Sequence, residues 1–481
     1  MIFPSYVFLL AFLPVVLALW MSRLPFRLRL GALTVASYVF YGWWDYRFTA
    51  LMLISTLVDY LCGSRIHAAR SEAIRKRWLA LSVASNLSLL GFFKYYDFFV
   101  ASLASGLEGL GVHANLPLLQ VILPIGISFY TFQSMSYSLD IHRRDARPAP
   151  DLLHFAAYVS LFPQLVAGPI VRYAQMAKQL ERLAVEQSAD RPTLQGIWYF
   201  VAGLAKKLWI ADSLAPMADR LFDGSGSVGA ADAWIGSLAY TFQLYFDFSG
   251  YSDMALGLGL LLGFRFPINF DSPYRARNVS EFWNRWHISL SHFLRDYLFI
   301  PLGGSRMGIA RTFRNLVITM FLGGLWHGAQ WTFVVWGLFH GALLGLHAGF
   351  RRVSSVAIGR LWAVGLTFAA VHLGWVLFRA PDFERAFEIY RGLAGWNGLG
   401  AGFEATYVSR WLGELPVFFQ GQGGIASYAT LLGAAVIAFL APNTHQIGAW
   451  RRPAVAAALG LLTTSCLFRL SRETPFLYFQ F

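Results

Sequence analysis

Three histidines, His327, His340 and His347, fall in a 36-residue stretch, Asn315–Phe350, that contains no Asp, Glu, Lys or Arg. A run this apolar reads as membrane. Ionisable side chains are rare there because they lose hydrating water, and they usually face a polar cavity or a functional site. His327 stands out as Gly-Leu-Trp-His-Gly-Ala, with Trp326 before it and Trp331 soon after. A neutral imidazole suits general-base work near pH 7, taking a proton from a hydroxyl or thiol as it attacks an acyl carbon. His340 and His347, seven residues apart on one helix face, are too distant to share a metal without further ligands. They read as packed or hydrogen-bonded helix residues.

A fourth histidine lies about forty residues earlier, in Phe264–Arg306. Asp271-Ser-Pro273 signals a turn, and Asn278 or Ser280 is placed to cap a helix beginning near Glu281. At about 100° per residue, Trp283, Trp286, Leu290, Phe293, Leu294 and Tyr297 fall on one arc. Asn284, Arg285, Ser289, Ser291, His292, Arg295 and Asp296 lie opposite, with Ile288 out of place. The pattern predicts one amphipathic helix with His287 at the edge of its apolar arc. Such a residue either points into a semi-dry cavity or rests at an interface with its polar tip in water.

The elements around these residues must be membrane helices. Of 481 residues, 56% are hydrophobic and 14% charged, against about 25% charged in soluble domains, and mean hydropathy is +0.49. Candidate spans fall near 4–22, 30–44, 48–63, 78–93, 116–139, 152–171, 194–214, 233–246 with 254–264, 315–334, 335–350, 361–378, 424–441 and 453–468. This predicts an all-α polytopic protein of roughly ten to thirteen transmembrane or re-entrant helices. Pro and Gly interrupt several, as in Leu123-Pro-Ile-Gly126 and Phe162-Pro-Gln-Leu-Val-Ala-Gly-Pro169. Broken helices persist at membrane depth only where protein or a water-filled cavity satisfies the freed backbone, so a pocket or tunnel is expected. With no soluble region of useful size and no internal repeat, residues 1–481 read as one integral domain. Within it, 264–306 forms the amphipathic or re-entrant catalytic region and 315–350 the histidine-bearing core.

The net charge of +13 does not point to nucleic acid. Basic residues cluster between apolar runs, as in Arg23–Arg29 and Arg65–Arg77, the pattern of cytoplasmic loops. Such clusters also suit a phosphate-bearing cytosolic coenzyme. Residues 1–22 carry no charge ahead of their apolar run, so a cleaved signal is not expected and the N-terminus is placed outside. Cys62 and Cys466 have no metal or redox spacing. HExxH, CxxC and Gly-x-Ser-x-Gly patterns are missing, and the glycine-rich stretches sit in apolar helices. No metal is expected. On composition alone, a channel or transporter fits better than an enzyme.

The pairing of Phe282-Trp-Asn-Arg-Trp-His-Ile-Ser-Leu-Ser291 with Gly323-Gly-Leu-Trp-His-Gly-Ala329 resembles the membrane-bound O-acyltransferase family, in its bacterial branch. Further matching pieces are Leu123–Gln133, Phe162–Pro169, Tyr245–Asp253, Arg295–Tyr297 with Ile300–Gly303, and the ending Phe476-Leu-Tyr-Phe. The resemblance covers essentially the whole chain. It implies helices around a central tunnel, His327 as the intramembrane catalytic residue and His287 as the second family histidine. It places Trp326, Asn284, Arg285, Trp286 and Gln164 at the substrate. It also implies no resident cofactor, acetyl-CoA as cytosolic acyl donor, and a bacterial inner membrane with its lipids. A periplasmic or membrane-anchored acetyltransferase partner would then decorate an exopolysaccharide such as alginate. The rival readings are a polysaccharide or lipid-linked sugar exporter or flippase, and a non-catalytic scaffold.

Overall fold

The computed structural model describes residues 1–185, 192–354, 356, 358–399, 425–447, 453–470 and 476–477. Among them the chain is all-α, with no strand. Two compact units are formed by interleaved segments. The first is Met1–Phe200, Met254–Pro267 and Leu470–Pro475; the second is Val201–Asp253, Ile268–Arg469 and Phe476–Phe481.

The first unit contains α1 (Phe8–Trp20), α2 (Phe26–Gly42), α3 (Arg47–Ala68), α4 (Glu72–Gly109), α5 (Ile127–Arg143), α6 (Leu152–Ser160), α7 (Phe162–Leu165) and α8 (Tyr173–Val185). Aromatic rings knit it together: Phe40 and Phe162 stand 5.5 Å apart, and Tyr137 and Phe155 4.3 Å. Deep in α3, Asp59 is fully buried. It accepts hydrogen bonds from Ser82 Oγ and, at 2.8 Å, from Asn86 Nδ2, both on α4. Ser55 Oγ in turn donates to Asn86 Oδ1 at 3.1 Å.

Two expected spans differ here. Residues 110–126 are not helical, and α5 starts only at Ile127, after Pro117, Pro124 and Gly126. Gly126 has φ +78°, and a Cβ there would meet Leu165 O at 3.0 Å, so both conformation and space call for glycine. The 152–171 segment breaks into α6 and the single turn α7, as its prolines and glycine foretold.

The second unit begins at the end of α9 (Thr193–Ala205) and continues through α10 (Asp212–Phe222), α11 (Ala230–Leu262) as far as Asp253, α12 (Val279–Arg285), α13 (Ile288–Leu294), α14 (Ile309–His327), α15 (Trp331–Val353), α16 (Arg360–Arg379), α17 (Phe383–Leu393), α18 (Ile425–Leu440) and α19 (Pro453–Arg469). The expected pair 233–246 and 254–264 is one unbroken 33-residue helix, α11. The polar residues that suggested a break are buried and paired instead. Asp247 lies 2.7 Å from Lys207, whose Nζ is also 2.8 Å from Asp212, and Asp253 lies 2.7 Å from Lys206.

Among the described residues, four helices are long and apolar enough to cross a membrane: α3, α4, α15 and α16. Roughly ten to thirteen transmembrane or re-entrant helices were expected. Shorter apolar helices cover Phe8–Trp20, Ser427–Leu440 and Leu459–Arg469. Much of the 380–422 connection lies outside the described residues.

Candidate active site

α14 and α15 form a tight hairpin whose turn presents His327. Glycines allow the close approach: a Cβ on Gly324 would lie 2.3 Å from Phe333 O, and one on Gly337 2.3 Å from Met320 O. Backbones this close are how small residues let membrane helices pack. His327 is the last residue of α14. Gly328 then turns the chain where a Cβ would strike the Phe333 ring at 2.1 Å. The C-terminal end of a 19-residue helix carries partial negative charge, which stabilises an imidazolium formed when the ring takes a proton.

His327 is 5% exposed. Its ring meets Trp326 at 5.1 Å, Trp336 at 5.2 Å and Phe378 at 5.2 Å between centroids. These walls exclude water and fix the imidazole's plane.

His287 arrives from a different part of the second unit. The expected single helix is not continuous: α12 ends at Arg285, Trp286 is extended, and His287 takes a left-handed φ of +43° before α13. The apolar arc was nonetheless right, since Trp283, Trp286, Leu290, Phe293, Leu294 and Tyr297 are all buried. Asn278 caps α12, accepting from Glu281 N at 2.8 Å. The break takes His287 off the helix edge and buries it completely. Its ring stands edge-on to Phe248 at 4.7 Å and lies 6.5 Å from the His327 ring. His287 is outside the four long apolar helices, and burial pushes its proton affinity down to about 3. The ring is therefore neutral at ordinary pH.

The other expected substrate residues divide. Trp326 meets both histidines, at 6.1 Å from His287. Trp286 is buried among aromatics, 4.8 Å from Trp375 and 5.0 Å from Phe270, and shapes the wall behind His287. Asn284 is exposed. Arg285 is tied down: Nη2 lies 2.9 Å from Glu281 Oε1, and Nη1 donates to Asp271 O at 3.0 Å. With Asp271 Oδ2 also 3.6 Å from Nη1, two carboxylates offset the charge expected to engage phosphates. Gln164 belongs to the first unit, fully buried, with Nε2 donating to Tyr158 O at 2.7 Å.

His340 is buried 4.9 Å from Trp336, and its Nδ1 accepts from Trp283 Nε1 at 3.4 Å. His347 is half-buried on α15. Sequence reading missed His372, which is buried, hydrogen-bonded to Thr241 and Ser237 at 2.8 and 3.2 Å, and stacked on Trp234. Its place in an otherwise apolar helix was the available signal. Among the described residues, no group of three or more His, Cys, Asp or Glu side chains could hold a metal ion. Cys62 and Cys466 are free and buried.

The family model described as membrane-bound O-acyltransferase matches residues 33–360, a span that includes both His287 and His327. The chain belongs to the membrane-bound O-acyltransferase family. It is an acyltransferase, which leaves the exporter and scaffold readings without support. A protein of Azotobacter vinelandii named "Probable alginate O-acetylase AlgI" is 46% identical over 82% of this chain and 78% of its own length. The "Peptidoglycan O-acetyltransferase" of Helicobacter pylori is 36% identical over 93% of this chain and 91% of its own. More distantly, the "Teichoic acid D-alanyltransferase" of Streptococcus thermophilus is 30% identical over 47% of this chain and 57% of its own. The ending Phe476-Leu-Tyr-Phe is described for its first two residues. Leu477 N donates to Asp247 Oδ2 at 2.9 Å, and the Phe476 ring meets Tyr251 at 4.5 Å.

Proposed function

We propose that this acyltransferase moves an acetyl group from cytosolic acetyl-CoA to an extracytoplasmic acceptor, for O-acetylation of an exopolysaccharide such as alginate. His327 is the general base. It takes the proton from the acceptor's hydroxyl as that oxygen attacks the thioester carbonyl. The C–O bond forms, the C–S bond breaks, and the imidazolium returns its proton to the departing thiolate of coenzyme A. His287 orients a substrate or polarises the carbonyl. Trp326 holds the reacting groups between the two rings. The protein sits in the bacterial inner membrane with its N-terminus on the periplasmic side, and a periplasmic or membrane-anchored acetyltransferase carries the acetyl group onward to the polymer.

The observation that carries this reading is the meeting of two buried imidazoles, 6.5 Å apart in an aromatic enclosure, from two motifs forty residues apart in sequence. Two relatives named as O-acetylating proteins support acetyl over D-alanyl transfer, since they align over far more of the chain. The test is acetyl-CoA consumption by membranes containing the protein, alongside the acetyl content of the polymer made by the cells. Acetyl-CoA left intact by active, folded protein would overturn the choice of donor.

A further inference from the structure

We infer that Asn269 is a positioning residue that holds His287 in its reactive conformation by capping α13 from outside that helix. The inference rests on the catalytic reading of His287 given above.

A left-handed φ is uncommon for a residue other than glycine and persists only where the surroundings impose it. His287, at φ +43°, occupies the N-cap position of α13, and its own side chain makes no capping hydrogen bond. The first amides of a helix have no partner within it, and a buried amide left unmet is costly. Here Asn269 meets two of them. Its backbone O accepts from Ile288 N at 3.0 Å, and its side-chain Oδ1 accepts from Ser289 N at 3.2 Å. The two amides immediately following His287 are therefore both held by one residue.

A third bond pins the other side of the break, from Asp271 N to Arg285 O at 3.0 Å. Residues 269–271 thus run antiparallel to 285–289 and bracket Trp286 and His287. Asn269 is itself 1% exposed, and its Nδ2 reaches Ser252 Oγ on α11 at 3.4 Å. That contact ties the clamp to the helix that also carries Phe248, the ring standing edge-on to His287. Asparagine is among the residues that cap helices best, because a short side-chain oxygen reaches the second or third amide. Here the cap acts in trans, from a residue outside the helix.

Misplacing a reacting group by about 1 Å can cost a hundredfold in rate. Asn269→Ala should lower kcat about ten- to a hundredfold with the KM for acetyl-CoA little changed, in full-length protein purified in detergent. Asn269→Asp, which keeps the accepting oxygen, should restore kcat to within about threefold of the native chain. In a His287→Ala background, Asn269→Ala should produce no further loss, because its effect passes through that histidine. Equal fractional losses in both backgrounds would assign Asn269 a general structural role and overturn the inference, as would native kcat in Asn269→Ala. Full turnover in His287→Ala alone would instead remove the catalytic reading, and this inference with it. If Asn269→Ala does not accumulate in the membrane, Asn269→Ser, too short to reach the Ser289 amide, carries the same expectations.

Discussion

Two buried polar regions, one in each unit, are built on opposite plans. Around Asp59, the neighbours are hydroxyls and an amide: Ser82 and Asn86 donate to the carboxylate, and Ser55 completes the chain through Asn86. Around His327, the neighbours are Trp326, Trp336 and Phe378. A carboxylate within an apolar helix needs donors, and the first region supplies them in a network joining α3 to α4. Such a network specifies one packing. The second region encloses its imidazole with aromatic faces that leave it 5% exposed. Hydrogen bonds tie the helices together in the first region, whereas aromatic faces line the second.

That contrast can be broken most decisively at His327. His327→Ala should reduce polymer acetylation by about a hundredfold or more, the scale of general acid–base catalysis, while membrane abundance stays near native. Cellular acetylation measured against the amount of protein in the membrane decides it. His287→Ala should follow with a smaller loss in kcat, about tenfold or more. Normal turnover in that variant would remove His287 from the site.

Asp59→Ala should show the reverse pattern. Stranding the Ser82 and Asn86 donors costs about 1–3 kcal/mol for each unmet group, so thermal stability in detergent falls while turnover per folded molecule holds. A loss of turnover without a loss of stability would mean that Asp59 is not the structural counterpart of the histidine pair. The smallest effect belongs to His372→Phe, which gives up the bonds to Ser237 and Thr241 but keeps a ring against Trp234. About 1–2 kcal/mol of stability should be lost, with acetyl transfer unaltered.

Both histidines of the pair were legible in the chain, though for different reasons. His327 announced itself as an ionisable group in a run without charges. The apolar arc put His287 at its edge and left its role open, and the resemblance to the family singled it out. The break that places His287 was not legible, because the amides that follow it are met by Asn269, eighteen residues earlier. Local propensity carries no trace of such distant partners. The same blindness divided α11 in two. Asp247 and Asp253 look like breaks in an apolar pattern until Lys207 and Lys206 are seen to pair with them. Arg285 erred the other way: an unattached cation in the sequence is held by Glu281 and Asp271 in the fold. Segment type was readable from composition, but pairing between segments was not.

Whether His327 accepts a proton during acyl transfer is decided by His327→Gln. Glutamine fills much of the same space and can hydrogen-bond, yet it cannot serve as a base near neutral pH. Release of free coenzyme A from acetyl-CoA should be followed with purified native and variant proteins of matched thermal stability, with the acceptor present. If His327 is the base, release by the variant falls to background. Release at the native rate would contradict it.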